Sequence, residues 1–253
     1  MNLLTRLARH PLLGFRILTV LLLTAAAPLH ADEQKYLRDG QPDGIALLAP
    51  PPLSGSSEQA ADLAEVISVV KTCPPGDAAL ARAEKKFTIF AFAPAIGSFF
   101  QPGKFPRTEA FFERVQKEAS QVTDAAKDHW QRPRPYIVEP SLSAAGEPEK
   151  SFSYPSGHST RGTVFALLLA ELFPDKRDDV LAIGRNLGWH RVEIARHYPT
   201  DIYAGRTLAQ AMVREMKSSS AFQRDFAEVK NEIEAVKQSV PAAAVSLRPA
   251  AAN

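Results

Sequence analysis

Residues 189–201 read WHRVEIARHYPTD, which places two histidines, two arginines, a glutamate and an aspartate within thirteen residues. His197 and Asp201 are four residues apart. A carboxylate held against one imidazole nitrogen leaves the other free as a base or nucleophile. Arg191, six residues before His197, can reach the same pocket. A zinc site is the competing chemistry, with His190, His197 and Asp201 as a three-ligand set.

Two further stretches carry candidate groups. KDHWQRPRP (residues 127–135) holds Lys127 and Arg134, two helical turns apart, with Pro133 and Pro135 fixing the backbone around the arginine. A fixed guanidinium and a point-charge ammonium suit an oxyanion. Alone, the pair also reads as a solvated helix end with basic residues near the negative pole of the dipole. SYPSGHST (153–160) stands directly before an apolar run. There Gly157 lets the backbone approach a ligand closely, and the amides of Ser156, Gly157 and His158 can face an anion at a helix N-terminus. The His158 side chain is placed for proton transfer; a capping serine with an incidental histidine is the plainer reading. Lys127, Arg134 and Arg191 in one pocket would repel a divalent metal and attract an anion, so no metal or other cofactor is expected.

These groups must be positioned by helices. Apolar spacing places helices from Ser56 or Ser57 to about Thr72, from an Asp77 cap through the Ala-rich stretch to about Ile96, and from a Thr108 cap to about Trp130. Residues 136–154 read as a loop. A helix from Ser156–Ser159 to Phe173 is apolar almost all round, which fits the middle of a bundle. Others follow at Lys176 to about Ala195, Pro199 to about Ser218, and Ala221–Gln238. No strand pattern of convincing length is present. The expected fold is all-α, a single-domain helical bundle of six or seven helices around a buried central helix.

The ends differ from this middle. Residues 1–31 carry Arg6, Arg9 and Arg16, no acid, a short apolar core and small residues before Asp32, the pattern of a cleavable secretory signal peptide. Cleavage near Ala31 predicts a periplasmic or secreted protein with no membrane attachment. Of the 30 basic and 28 acidic residues, loss of those three arginines leaves a net charge of −1, so nothing marks a nucleic-acid surface. Residues 32–57 read as an extended Pro-rich arm, 58–239 as the helical domain and 240–253 as a disordered tail. Cys73 is the one cysteine, which excludes an internal disulfide and a cysteine-based metal cluster. The histidines beyond residue 31, His129, His158, His190 and His197, all fall in one 69-residue window.

Taken in order, Lys127 with Arg134-Pro135, then Pro155-Ser156-Gly157-His158, then Arg191 with His197 and Asp201 resemble the tripartite signature of the type 2 phosphatidic acid phosphatase superfamily, which includes the vanadium haloperoxidases. Within it the chain is similar to the class A bacterial non-specific acid phosphatases, through APPPLSGSSEQAADLAEV (49–66), RPRPYIVEPSL (132–142), SYPSGHSTRGTVFALLLAEL (153–172) and HYPTDIYAGR (197–206). The resemblance implies a metal-free acid phosphatase of broad range, acting on small phosphomonoesters, and is compatible with a homodimer. It assigns His197 as the nucleophile, Asp201 as the holder of its other nitrogen, and His158 as the acid and base. Lys127, Arg134, Arg191, Ser156 and Gly157 would bind phosphate. His190 departs from the pattern, because the third motif usually begins with serine; as a larger imidazole it can replace the hydroxyl toward phosphate, narrow the pocket or turn away. His129 is expected to be structural or at the pocket rim, and Arg161, Arg196 and Arg206 to form supporting salt bridges. A haloperoxidase and a lipid or polyprenyl phosphate phosphatase are the competing activities.

Overall fold

The computed structural model describes residues 35–142 and 148–239, and these belong to one compact unit, Lys35–Asn253. The expected signal peptide and C-terminal tail lie outside the described residues. Ten α-helices run along the described chain: α1 (Gly44–Leu47), α2 (Ser57–Thr72), α3 (Pro75–Ala83), α4 (Ala93–Ile96), α5 (Pro106–Trp130), α6 (Pro135–Val138), α7 (Gly157–Leu172), α8 (Arg177–Glu193), α9 (Pro199–Ser218) and α10 (Ser220–Ser239). No strand occurs among the described residues, and no helix there is long and apolar enough to cross a membrane.

The centre is α7. Val164, Phe165, Ala166, Leu168, Leu169, Ala170 and Leu172 are all buried, so the helix has no solvated face of any width. Its two main neighbours, α8 and α9, come close because glycines sit at the crossings. A Cβ on Gly184 of α8 would lie 2.4 Å from Ala166 Cβ and 2.8 Å from the Gly162 carbonyl, and one on Gly205 of α9 would lie 2.7 Å from the Ser156 carbonyl. Those crossings bring the start of α9 and the end of α8 to the N-terminus of α7, so the second and third motifs meet through packing.

Several local expectations are corrected. The extended arm contains one helical turn, α1, because the Asp43 carboxylate accepts from the Ile45 and Ala46 amides at 2.9 and 3.1 Å. The continuous helix expected from Asp77 to Ile96 breaks after Ala83 into 3₁₀ turns at Glu84–Lys86 and Ile89–Phe92, before the single turn of α4. Phe87, Ile89 and Phe92 all enter the core there, a spacing that one face of an α-helix cannot supply. Thr108 does not cap α5. The helix begins at Pro106, and Glu232 of α10 accepts from the Arg107 and Thr108 amides and the Thr108 hydroxyl at 3.0, 2.8 and 2.7 Å. The orphan donors of that helix start are therefore satisfied by a carboxylate from another helix. The loop expected over 136–154 contains most of α6 and a 3₁₀ turn at Pro140–Leu142.

Candidate active site

Lys127 and Arg134 meet in space, though not on one helical face. Helix α5 stops at Trp130, Gln131 turns left-handed (φ 48°, ψ 33°), and Arg134 stands beyond the helix as the extended residue before α6. The turn folds the guanidinium back over the last turn of α5. Both side chains are almost wholly buried. Lys127 Nζ donates to the Phe152 carbonyl at 2.5 Å, and Arg134 donates to the Ser151 and Arg196 carbonyls at 2.9 and 2.8 Å. Burial, with Arg134 nearby, pushes the Lys127 ammonium down to about 8.

His197 lies just before α9, buried, with Asp201 in the first turn of that helix. Its Nδ1 is 3.1 Å from Asp201 Oδ2, and its Nε2 is 3.2 Å from Arg134 Nη1. The tautomer with the proton on Nδ1 follows from the carboxylate, leaving Nε2 with a lone pair directed at the cations. Asp201 Oδ2 also accepts from the Ser153 hydroxyl (2.5 Å) and the Tyr198 amide (3.0 Å), and Oδ1 accepts from Arg132 (2.6 Å). With its charge shared so widely, the carboxylate holds the ring without drawing a proton onto it. Burial, then the charges of Arg134, Lys127 and Arg191, keeps His197 well below the usual imidazole range.

Ser156 caps α7, its hydroxyl accepting from the Ser159 amide at 3.3 Å. The expectation of three free amides is corrected at Ser156, whose N–H donates to the Asp201 carbonyl at 3.0 Å and ties α7 to α9. Among the described residues no acceptor faces the Gly157 or His158 amides. Gly157 has only Lys127 near it, a Cβ there meeting Lys127 Cε at 4.0 Å. His158 Nε2 is 3.3 Å from the Glu84 carbonyl, and burial together with Arg191, Arg161 and His197 pushes its imidazole well below the usual range.

Arg191, on the last turn of α8, is buried and donates to the Ala81 carbonyl at 2.9 Å. His190, the residue before it, has its Nδ1 2.6 Å from Glu84 Oε2. Burial lowers its pKa, but the Glu84 hydrogen bond and charge outweigh that, and the net shift is upward. The turn at residues 81–84 therefore takes contacts from His158, His190 and Arg191 together. His129 is exposed beside Trp130. Arg161, Arg196 and Arg206 lie over the rings of Phe87, Tyr136 and Tyr203, with guanidinium carbons 4.0, 5.2 and 5.4 Å from the ring centres.

Sequence reasoning passed over four residues that this geometry brings in. Arg132 is a buried hub that donates to Asp201, Asp62, Gln59 and Thr200 at 2.6–2.7 Å and stacks on Tyr198. Ser153 holds Asp201, Glu84 holds His190, and Glu149 reaches two arginines. The first of these carried a signal, since Arg132 stands in the same RPRP run as Arg134; the others depend on tertiary placement. Among the described residues no group of three or more His, Cys, Asp or Glu side chains is arranged to hold a metal ion.

The PAP2 superfamily model matches residues 119–224, a span that contains every candidate residue from Lys127 to Asp201. An acid phosphatase of Zymomonas mobilis is 29% identical over 205 residues, covering 78% of this chain and 78% of its own. A non-specific acid phosphatase of Providencia stuartii is 29% identical over 215 residues, covering 80% of this chain and 86% of its own. The crystal structure of a transmembrane PAP2 type phosphatidylglycerolphosphate phosphatase from Bacillus subtilis aligns with a TM-score of 0.47 at 21% identity, over 65% of this chain and 87% of that one.

Proposed function

We infer that this chain, which belongs to the PAP2 superfamily, is an acid phosphatase that cleaves small phosphate monoesters by passing the phosphoryl group through His197. One observation carries the mechanism: a buried imidazole whose Nδ1 is held by Asp201 presents its Nε2 toward Arg134, with Lys127 and Arg191 close enough to depress its proton affinity. A nucleophile kept unprotonated by its surroundings stays competent in acid, where a free histidine would be lost to protonation.

The step balances as two in-line displacements. Nε2 forms a bond to phosphorus as the ester P–O bond breaks, and the departing alcohol oxygen takes a proton from His158. Water then attacks phosphorus, His158 takes its proton, and the N–P bond breaks with its electron pair returning to Nε2. Lys127, Arg134, Arg191 and the amides of Gly157 and His158 stabilise the charge on the equatorial oxygens, which is most of what phosphoryl transfer asks of a protein. In the substrate-free pocket His158 is depressed by burial and by cations. That depression places the falling limb of kcat/KM on the acid side of neutrality, while the negative charge of a bound phosphate lets His158 hold its proton in the complex and moves the falling limb of kcat to higher pH.

The positive, short-cored N-terminal segment supports export to the periplasm or beyond after cleavage near Ala31, which N-terminal sequencing of chain recovered outside the cytoplasm tests. The activity is tested by a pH-resolved screen of aryl phosphates, sugar phosphates and nucleotides, with His197→Ala in parallel and halide oxidation in added vanadate as the control. Hydrolysis that is strongest in acid and lost in His197→Ala supports the reading. Full activity in His197→Ala, or halide oxidation without hydrolysis, overturns it.

A further inference from the structure

The cationic pocket already holds an anion that belongs to the chain. Glu149, in the segment between α6 and α7, places one carboxylate oxygen 2.8 Å from Arg134 Nη2 and the other 3.2 Å from Arg191 Nη2. The two guanidiniums are 3% and 2% exposed while Glu149 is 22% exposed, so the carboxylate reaches them from the open side. It is a two-oxygen anion spanning two arginines, as a phosphate would. One of those arginines stands 3.2 Å from the nucleophilic nitrogen of His197.

The rest of the segment does not depend on this carboxylate. Its backbone is pinned by Glu149 N–H donating to the Tyr136 hydroxyl at 3.0 Å, and by the Ser151 and Phe152 carbonyls accepting from Arg134 and Lys127. The side chain can leave without the segment leaving. Among the described residues Glu149 is also the one carboxylate paired with either arginine, whereas Asp201 is fully buried and committed to His197, Arg132 and Ser153.

We propose that Glu149 is a resident ligand of the oxyanion site, a carboxylate that holds Arg134 and Arg191 together in the substrate-free enzyme and that an incoming phosphate must displace. Glu149 is then a specificity-determining residue, admitting only anions that gain more from the three cations than a carboxylate gains from two. This rests on the phosphatase reading for its meaning but not for its test, since phosphate binding is measurable without turnover.

The magnitude follows from occupancy. A side chain that fills the site nine-tenths of the time lowers the apparent affinity of its competitor about tenfold. In the full chain, Glu149→Gln keeps the size and the backbone hydrogen bond and removes the charge. Calorimetric titration with inorganic phosphate should show about three- to tenfold tighter binding to Glu149→Gln than to the unaltered chain. The KM for p-nitrophenyl phosphate should fall in parallel without a rise in kcat. A carboxylate that merely braces the arginines predicts the reverse, weaker phosphate and a higher KM. Equal or weaker phosphate binding in Glu149→Gln overturns the proposal. A chain that binds phosphate more tightly after the substitution yet hydrolyses no ester sustains the proposal and sinks the phosphatase reading instead.

Discussion

Replacing Lys127 by methionine should abolish most activity and make the phosphate-free protein more stable. The ammonium is buried and pushed down from an ordinary 10.5 to about 8, chiefly by lost hydration and then by Arg134. At roughly 1.4 kcal/mol per tenfold change in proton affinity, the folded state holds the charged form at a penalty of about 3 kcal/mol at pH 7. Methionine fills the same unbranched volume. Against that gain stands the loss of the Lys127 bond to the Phe152 carbonyl, worth about 1 kcal/mol, and that carbonyl keeps Arg134 Nη2 at 3.2 Å. The net is a stabilisation of about 2 kcal/mol, or about 4–8 °C in Tm for a chain of this length. The sign also fixes the pH window. Because the folded-state value is depressed, the penalty is full below about 8 and lifts as pH rises from there toward 10.5, so the advantage of the variant should shrink over that range. The assay is denaturant unfolding in phosphate-free buffer at pH 7 and pH 10, beside kcat/KM for an aryl phosphate. Added phosphate should stabilise the unaltered chain more than the variant. A variant less stable than the parent at pH 7 without phosphate would refute the claim that the pocket stores strain as unpaid cationic charge.

Gly205→Ala should destabilise by about 1–3 kcal/mol in urea unfolding and raise KM, because the added Cβ would meet the Ser156 carbonyl at 2.7 Å and push α9 away from the start of α7. His190→Ser should raise KM by loosening the turn at residues 81–84, which then loses its Glu84 bond to α8 and keeps the Arg191 bond at Ala81. Its stability deficit should be full below about 6.5 and shrink as pH rises through the raised value of His190, since the charge attraction to Glu84 goes with the proton and leaves only a neutral Nδ1–H hydrogen bond; urea midpoints measured from pH 5 to pH 9 check the sign.

The sequence carried the fold class and the closeness of the candidate groups further than the local detail of the elements. Spacing within HRVEIARHYPTD placed His197 against Asp201, and the all-round apolar run placed α7 in the middle, because both signals are local and periodic. What could not be read locally was which neighbours answer them. Thr108 looked like a cap, yet the helix starts earlier, at Pro106, and its Arg107 and Thr108 amides donate to Glu232, which lies 124 residues after Thr108. The Ala-rich run after Asp77 looked like one helix, yet Phe87, Ile89 and Phe92 serve the core and break it. Lys127 and Arg134 came together as expected, but through a left-handed Gln131 and not through a helical face. Glu149 and Glu84 lie on connecting segments with no periodicity, and only the fold brings them to Arg134, Arg191 and His190.

The central claim is that His197 carries the phosphoryl group. A single-turnover reaction of p-nitrophenyl phosphate with excess enzyme, quenched in alkali to preserve a phosphoramidate and digested, tests it by mass spectrometry. A phosphoryl adduct on the peptide containing His197, rising with the release of p-nitrophenol and absent in His197→Ala, is the expected result. Release of p-nitrophenol with no adduct on that peptide, or with the adduct on another residue, would contradict it.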